Sequence, residues 1–81
     1  MPLTSEQFRT AAEEQLNEAA ERAYTFLRQN SHLAYTAAEV ADELAMDARL
    51  VRTALEEIYF AGLAEGGDVD GKTYFLYKTQ D

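Results

Sequence analysis

Two short amphipathic patterns of helical period occupy the middle of the chain. The stretch "TAAEVADEL" begins with Thr36 and Glu39, which have the spacing of a capping box. Its apolar residues recur at intervals of three and four, at Ala37, Val40, Ala41 and Leu44. Asp47 is a suitable N-cap for the second pattern, whose inward side is Val51, Ala54, Leu55 and Ile58. The sequence therefore predicts helices over 36–45 and 48–61, separated by a tight turn.

A longer helix is predicted over residues 5–29. Thr4 and Gln7 have capping-box spacing, no Gly or Pro interrupts the segment, and Asn30 suits a helix end. The apolar stripe contains Phe8, Ala12, Leu16, Ala19, Ala23 and Leu27. Such a helix is about 38 Å long, which exceeds the width of a small domain. We expect its N-terminal half either to contact a second copy in a homodimer or to bend back over its own domain.

The C-terminal part is predicted to form a β-hairpin over 63–78. Its strands are expected at 63–65 and 73–78, joined through "GGDVDGK". The pair Asp70-Gly71 favours a tight turn, and the two preceding glycines are assigned to the same loop. The strand "TYFLYK" is apolar on both faces, with Tyr74 and Leu76 on one and Phe75 and Tyr77 on the other. We expect the first helix or a partner chain to cover one of these faces.

The order of the elements resembles that of a winged helix-turn-helix domain. A single extended segment at His32–Tyr35 completes the order, and the resemblance covers residues 18–78. The specific stretches are "TAAEVADELAMDARLVRTALEEI", with the small residue Ala41 at the fifth helical position, and "GLAEGG…DGKTYFLYK". The resemblance implies one α+β, mostly helical domain over 1–81, with a three-helix core, a C-terminal β-hairpin wing and a long N-terminal helix.

One position departs from that pattern. Many relatives have glycine in the turn between the two short helices, where this chain has Ala45. An alanine in the left-handed conformation costs on the order of 1 kcal/mol. We therefore expect the turn to adopt another geometry.

The resemblance implies a small transcriptional regulator that binds double-stranded DNA as a dimer, with the exposed side of the third helix in the major groove. Arg49 and Arg52 are suited to guanine or phosphate, and Thr53 to a base or a phosphate. Leu50 is suited to a thymine methyl group, and Lys72 at the hairpin tip to the DNA backbone or minor groove.

The charge of the chain favours a second hypothesis. Fifteen acidic residues face seven basic ones, which gives a net charge of −8 and repels phosphate at long range. Arg52 and Glu56 are also spaced for an ordinary surface ion pair. The alternative is a winged-helix protein–protein interaction module that does not bind DNA. Its candidate contacts are Leu50, Tyr59, Phe60, Phe75 and Tyr77. The acidity itself fits either a salt-loving host or ordinary solubility.

Enzymatic, cofactor-binding and metal-binding functions are not expected. The chain has no cysteine and one histidine, His32, which we expect to be a structural residue in a short apolar segment. No cluster of His, Cys, Asp and Glu has metal-ligand spacing, and "GGDVDG" lacks the strand-to-helix context of a phosphate loop. No apolar run approaches the length needed to span a bilayer, and no secretory signal is evident. We expect a cytoplasmic protein without a membrane partner.

Overall fold

The computed structural model describes residues 2–79, which form three α-helices and one antiparallel β-sheet. The elements are α1 (Ser5–Gln29), β1 (Tyr35–Thr36), α2 (Ala37–Leu44), α3 (Ala48–Phe60), β2 (Ala64–Val69) and β3 (Lys72–Tyr77). The strand order in the sheet is β1-β3-β2. This arrangement confirms the α+β, mostly helical class.

Side-chain caps specify where the three helices begin. In α1 the Thr4 hydroxyl accepts the Gln7 N–H at 3.1 Å, and the Gln7 side chain accepts the Thr4 N–H at 3.0 Å. Thr36 and Glu39 form the same reciprocal pair at α2, at 3.2 and 2.9 Å. The Asp47 carboxylate accepts two backbone N–H groups at the start of α3. Each predicted cap is present because it depends only on residues within one helical turn.

The connection between α2 and α3 corrects one expectation. Ala45 adopts the left-handed conformation, with φ 52° and ψ 47°, rather than avoiding it. This conformation lets the Met46 N–H donate to the Ala41 carbonyl at 2.9 Å and the Ala45 N–H donate to the Asp42 carbonyl at 3.3 Å. Both bonds satisfy carbonyls at the end of α2 that would otherwise lack a partner. The prediction of another geometry was therefore wrong.

Within the predicted hairpin, the first strand is longer and the turn is shorter than expected. Strand β2 continues to Val69, so Gly66 and Gly67 lie within the strand and not in the loop. Only Asp70 and Gly71 form the turn, with φ values of 53° and 79°. Positive φ at both positions is the type I′ geometry, whose twist matches that of the paired strands. The predicted turn residues are confirmed. The first strand was predicted to end at residue 65, four residues too early, whereas the second, predicted at 73–78, is displaced from β3 by one residue.

The extended segment before α2 is shorter than predicted and belongs to the sheet. Only Tyr35 and Thr36 are extended, and they pair with Phe75 and Tyr74 of β3. His32 lies in the turn after α1 and is exposed, so it is not the structural residue of an apolar segment that was expected. The sheet thus has a third strand in addition to the hairpin.

The core lies between the three helices and one face of the sheet. Its buried residues are Ala23, Leu27, Val40, Ala41, Val51, Leu55, Ile58, Ala64 and Phe75.

Helix α1 covers Tyr77 of β3, since the Tyr24 and Tyr77 ring centroids are 5.8 Å apart. Hydrogen bonding with the Tyr24 side chain, followed by partial burial, raises the pKa of the Tyr77 phenol above its ordinary value. The covering element is therefore α1, and no partner chain is needed for this face.

The N-terminal half of α1 extends beyond the core. The first buried residue of α1 is Ala19, which lies in the C-terminal half of the helix. In the N-terminal half, Phe8 of the apolar stripe is 63% exposed. The molecule measures 45 × 29 × 19 Å, so its longest dimension exceeds the other two by far. This half of the helix does not bend back over its own domain. Within residues 2–79, no helix is both long enough and apolar enough to cross a membrane.

Candidate nucleic-acid interface

An open groove of about 1010 Å³ separates α3 from the β-hairpin. One wall consists of Ala48, Arg49, Arg52, Glu56, Tyr59 and Phe60 from α3. The other wall is formed by residues of β2, the turn and β3, and the first residues of α2 complete the groove. The groove therefore joins the exposed side of α3 to the tip of the hairpin.

The spacing of residues on α3 explains which side chains enter the groove. Arg49, Arg52, Glu56 and Tyr59 follow one another at intervals of three, four and three, which places them in one row along the helix. Lys72 reaches the same groove from the first position of β3. The structure thus brings together three of the five residues that were predicted to bind DNA.

The other two predicted residues lie outside the groove lining. Leu50 is half-buried and not the exposed apolar side chain that was expected. Thr53 is exposed, but its hydroxyl donates a hydrogen bond to the Arg49 carbonyl at 3.1 Å. A hydroxyl that already donates along its own helix is less available to a base or a phosphate. The row that faces the groove is therefore narrower than the exposed side of α3.

The charges within the groove leave two cations without an ion pair. The predicted pair between Arg52 and Glu56 is present at 3.4 Å, and the two side chains are 74% and 48% exposed. An exposed pair of this kind contributes only a few tenths of a kcal/mol. The Asp68 carboxylate accepts the Thr73 hydroxyl at 2.7 Å. Within residues 2–79, neither of the other two groove cations, Arg49 and Lys72, forms a salt bridge.

The groove differs in charge from the rest of the chain. Arg49, Arg52 and Lys72 exceed the carboxylates of Glu56 and Asp68 by one charge, so the lining is slightly positive. The whole chain has a net charge of −8. A positive lining on an acidic protein focuses any attraction for an anion at this one surface.

An aromatic pair on α3 is built into the groove in a way that was not predicted from the sequence. Tyr59 and Phe60 pack edge to face, with ring centroids 5.5 Å apart, and are 44% and 81% exposed. A Cβ atom on Gly66 would lie 3.2 Å from the Tyr59 ring, so the glycine allows this ring to approach β2 closely. The Asp70-Gly71 signal contained the missing information. A two-residue turn requires the strand to extend back through Gly66.

Two predicted protein contacts are not available at the surface. Phe75 is 5% exposed and belongs to the core, and Tyr77 is half-buried against α1. Both were assigned to a partner because the strand is apolar on both faces, and the position of α1 could not be read from that strand. The exposed aromatic residues beside the groove are instead Tyr59 and Phe60.

No cluster of three or more His, Cys, Asp or Glu residues that could hold a metal ion occurs among residues 2–79. Comparison of the chain with protein-family models, with curated proteins and with solved structures gave no match.

Proposed function

We propose that the chain is a small winged helix-turn-helix protein that binds double-stranded DNA and regulates transcription. In this proposal α2 and α3 are the helix-turn-helix, and β2 and β3 are the wing. The observation that carries the proposal is the convergence of Arg49, Arg52 and Lys72 in one groove of an otherwise acidic chain. A protein with so few cations is expected to place them where an anion binds.

The proposed mode of binding follows from the state of each cation. Arg49 has no ion pair to break, so it is the first candidate for guanine O6 and N7 in the major groove. Arg52 must leave Glu56, which costs little because their pair is exposed. Lys72, at the hairpin tip, would contact the DNA backbone or the minor groove beside the helix. Asp47 already accepts the first free N–H groups of α3, so this helix end is a poor phosphate site.

The small number of cations favours a dimer. Three groove cations per copy give six in a dimer, which corresponds to a slope of about −5 in a plot of log K against log salt. A single copy would provide only half of these contacts and would bind weakly at physiological salt. We propose that the exposed N-terminal half of α1 forms the contact between the two copies.

Alanine substitution tests the DNA proposal directly. Arg49→Ala and Arg52→Ala are each expected to weaken binding to a duplex obtained by selection by about 1–3 kcal/mol. The matched control is Arg28→Ala, which removes the same charge from the exposed end of α1, outside the groove. Fluorescence anisotropy measures the affinities, and circular dichroism verifies the fold. A wild-type protein that binds no duplex at low salt would contradict the proposal, and so would an equal loss in the control.

A protein-interaction module that does not bind DNA is the second candidate. The observation that favours it is the exposure of Tyr59 and Phe60, since contacts to a DNA duplex through Arg49 and Arg52 leave this aromatic pair unexplained. Leu50, Phe75 and Tyr77 no longer support it, because they are half-buried or buried.

A further inference from the structure

Strand β2 is an edge strand whose outer side offers regularly spaced backbone groups. The Lys78 N–H donates to the Leu63 carbonyl at 3.2 Å, which identifies the facing residues Ala64 and Tyr77 as a non-hydrogen-bonded pair. Because such pairs alternate along an antiparallel ladder, Gly66 and Asp68 also direct their N–H and C=O groups away from β3. Within residues 2–79, no other strand pairs with this edge.

The edge borders the aromatic pair on α3. The Tyr59 ring packs against Gly66, and the Phe60 ring is 81% exposed beside it. Alternate side chains of a strand point to the same face of a sheet. A chain added along β2 would therefore place every second side chain on the side that carries Tyr59 and Phe60. Edge strands are usually protected against such pairing, and an open edge beside exposed aromatic rings is suited to strand addition.

The charges around the edge argue against a second copy as the occupant. Strand β2 contains Glu65 and Asp68 and no Lys or Arg. Pairing β2 with β2 of a second copy would bring four carboxylates into one short ladder with nothing to offset them, and like charges across strands are destabilising. A nucleic-acid strand has no ladder of alternating amide donors and acceptors to match the edge. The suitable occupant is a peptide with different charges.

The residues around the edge indicate the side chains of that peptide. The Tyr59 ring packs against Gly66, whose backbone N–H and C=O groups point away from β3. Residues that face each other on neighbouring strands have their side chains on the same face of the sheet, so an apolar residue paired with Gly66 would lie against Tyr59 and Phe60. Asp68 lies two residues further along β2 on the same face, so a lysine two positions away in the peptide would face its carboxylate.

We propose that the outer edge of β2 binds an extended peptide as an added strand, with an apolar residue against Tyr59 and Phe60 and a lysine two positions away beside Asp68. This site does not depend on DNA binding.

A designed peptide tests the proposal on the full chain. The probe is a blocked peptide of alternating threonine and valine with a leucine and, two positions later, a lysine. We expect saturable NMR shifts of the Gly66 and Asp68 amides, together with slower hydrogen exchange at both. A second peptide with glutamate in place of the lysine is expected to bind at least threefold more weakly. The absence of saturable shifts at millimolar peptide would overturn the proposal, as would shifts that appear on concentrating the protein alone, which would indicate a second copy.

A pair of variants separates strand addition from other modes of binding. Asp68→Pro removes an N–H that points away from β3, and an edge strand tolerates proline at such a position. Asp68→Ala removes the same carboxylate and keeps the N–H. We expect Asp68→Pro to bind the probe roughly three- to tenfold more weakly than Asp68→Ala, which is the effect of one hydrogen bond. Equal affinities, with the β3 amide shifts showing an intact hairpin in both, would exclude the added strand.

The aromatic contact has its own control. Phe60→Ala removes an exposed ring beside the groove, whereas Val69→Ala removes an exposed side chain near the hairpin turn, outside the groove lining. We expect about a tenfold loss of probe affinity for Phe60→Ala and no loss for Val69→Ala. Equal effects of the two substitutions would contradict the assignment of the apolar contact. DNA affinity measured on the same variants distinguishes failure of this site from failure of the DNA proposal.

Discussion

Ala45 shows that a turn between two helices can impose a conformation that its residue disfavours. The cost of a left-handed alanine is on the order of 1 kcal/mol. Two backbone hydrogen bonds at the end of α2 offset this cost. The burial of Val40, Val51 and Leu55 offsets it further, because that burial depends on the direction in which α3 leaves the turn. The steric cost of the left-handed conformation can be read from Ala45 alone, whereas the contacts that compensate for it involve residues on both helices. For this reason the geometry of the turn could not be predicted from Ala45 alone.

Replacement of Ala45 by glycine is expected to stabilise the protein. Glycine adopts φ 52° without steric cost, and Ala45 is exposed, so no packing is lost. We expect Ala45→Gly to raise the free energy of unfolding by about 1 kcal/mol, or the midpoint temperature by about 4–8 °C. The control is Ala61→Gly, because Ala61 has φ −76° and should gain nothing. Urea unfolding monitored by circular dichroism gives both values, and a destabilised Ala45→Gly would show that the side chain makes a contact worth more than the strain.

At the scale of elements, local signals specified the helices and failed at β2. Each helix begins at a cap whose partners are two or three residues away, so the sequence contains the whole signal. Strand β2 has the sequence "AEGGDV", which has little intrinsic preference for a strand. It is extended because β3 pairs with it along its whole length and because Tyr59 packs on Gly66. These contacts are distant in sequence, which is why two glycines were assigned to a loop.

Helix α1 leads to a prediction about association. In its N-terminal half the stripe residues Phe8 and Ala12 are exposed to solvent, and a second copy is the proposed partner. We expect the wild-type chain to sediment as a dimer and Phe8→Glu to sediment as a monomer, because a buried carboxylate at a helix–helix contact costs several kcal/mol. Asn17→Glu, which places the same charge on the opposite side of α1, is expected to remain dimeric. A chain that begins near Glu18 should also be monomeric. A monomeric wild-type protein at all concentrations would remove the dimer proposal.

For the molecule as a whole, the positions of the candidate site's cations could be predicted from the sequence, because these residues belong to elements that nearby residues specify. Arg49 and Arg52 are on a helix whose register follows from Asp47 and the inward apolar residues, and Lys72 follows a turn that Asp70-Gly71 specifies. The three side chains line one groove, as expected if α3 and the hairpin tip lie side by side. The groove's aromatic side was not predictable in the same way, because it depends on how α3 approaches β2. The free edge of β2 likewise depends on the sheet order, which no single segment encodes.

The distribution of charge leads to a prediction about stability in salt. The whole chain has a net charge of −8, and among residues 2–79 the only salt bridge is the exposed pair of Arg52 and Glu56, so repulsion between carboxylates opposes folding. Repulsion of this kind is screened as the Debye length falls from about 30 Å at 0.01 M to about 3 Å at 1 M salt. We expect the free energy of unfolding to rise by on the order of 1 kcal/mol over this range of sodium chloride.

A variant with Glu43→Gln and Glu57→Gln has two fewer negative charges and should show a smaller rise. Urea unfolding at each salt concentration measures the effect, with sucrose as a control for solvent exclusion. If the wild-type chain and the variant respond equally, the stabilisation comes from stronger apolar burial and not from screening.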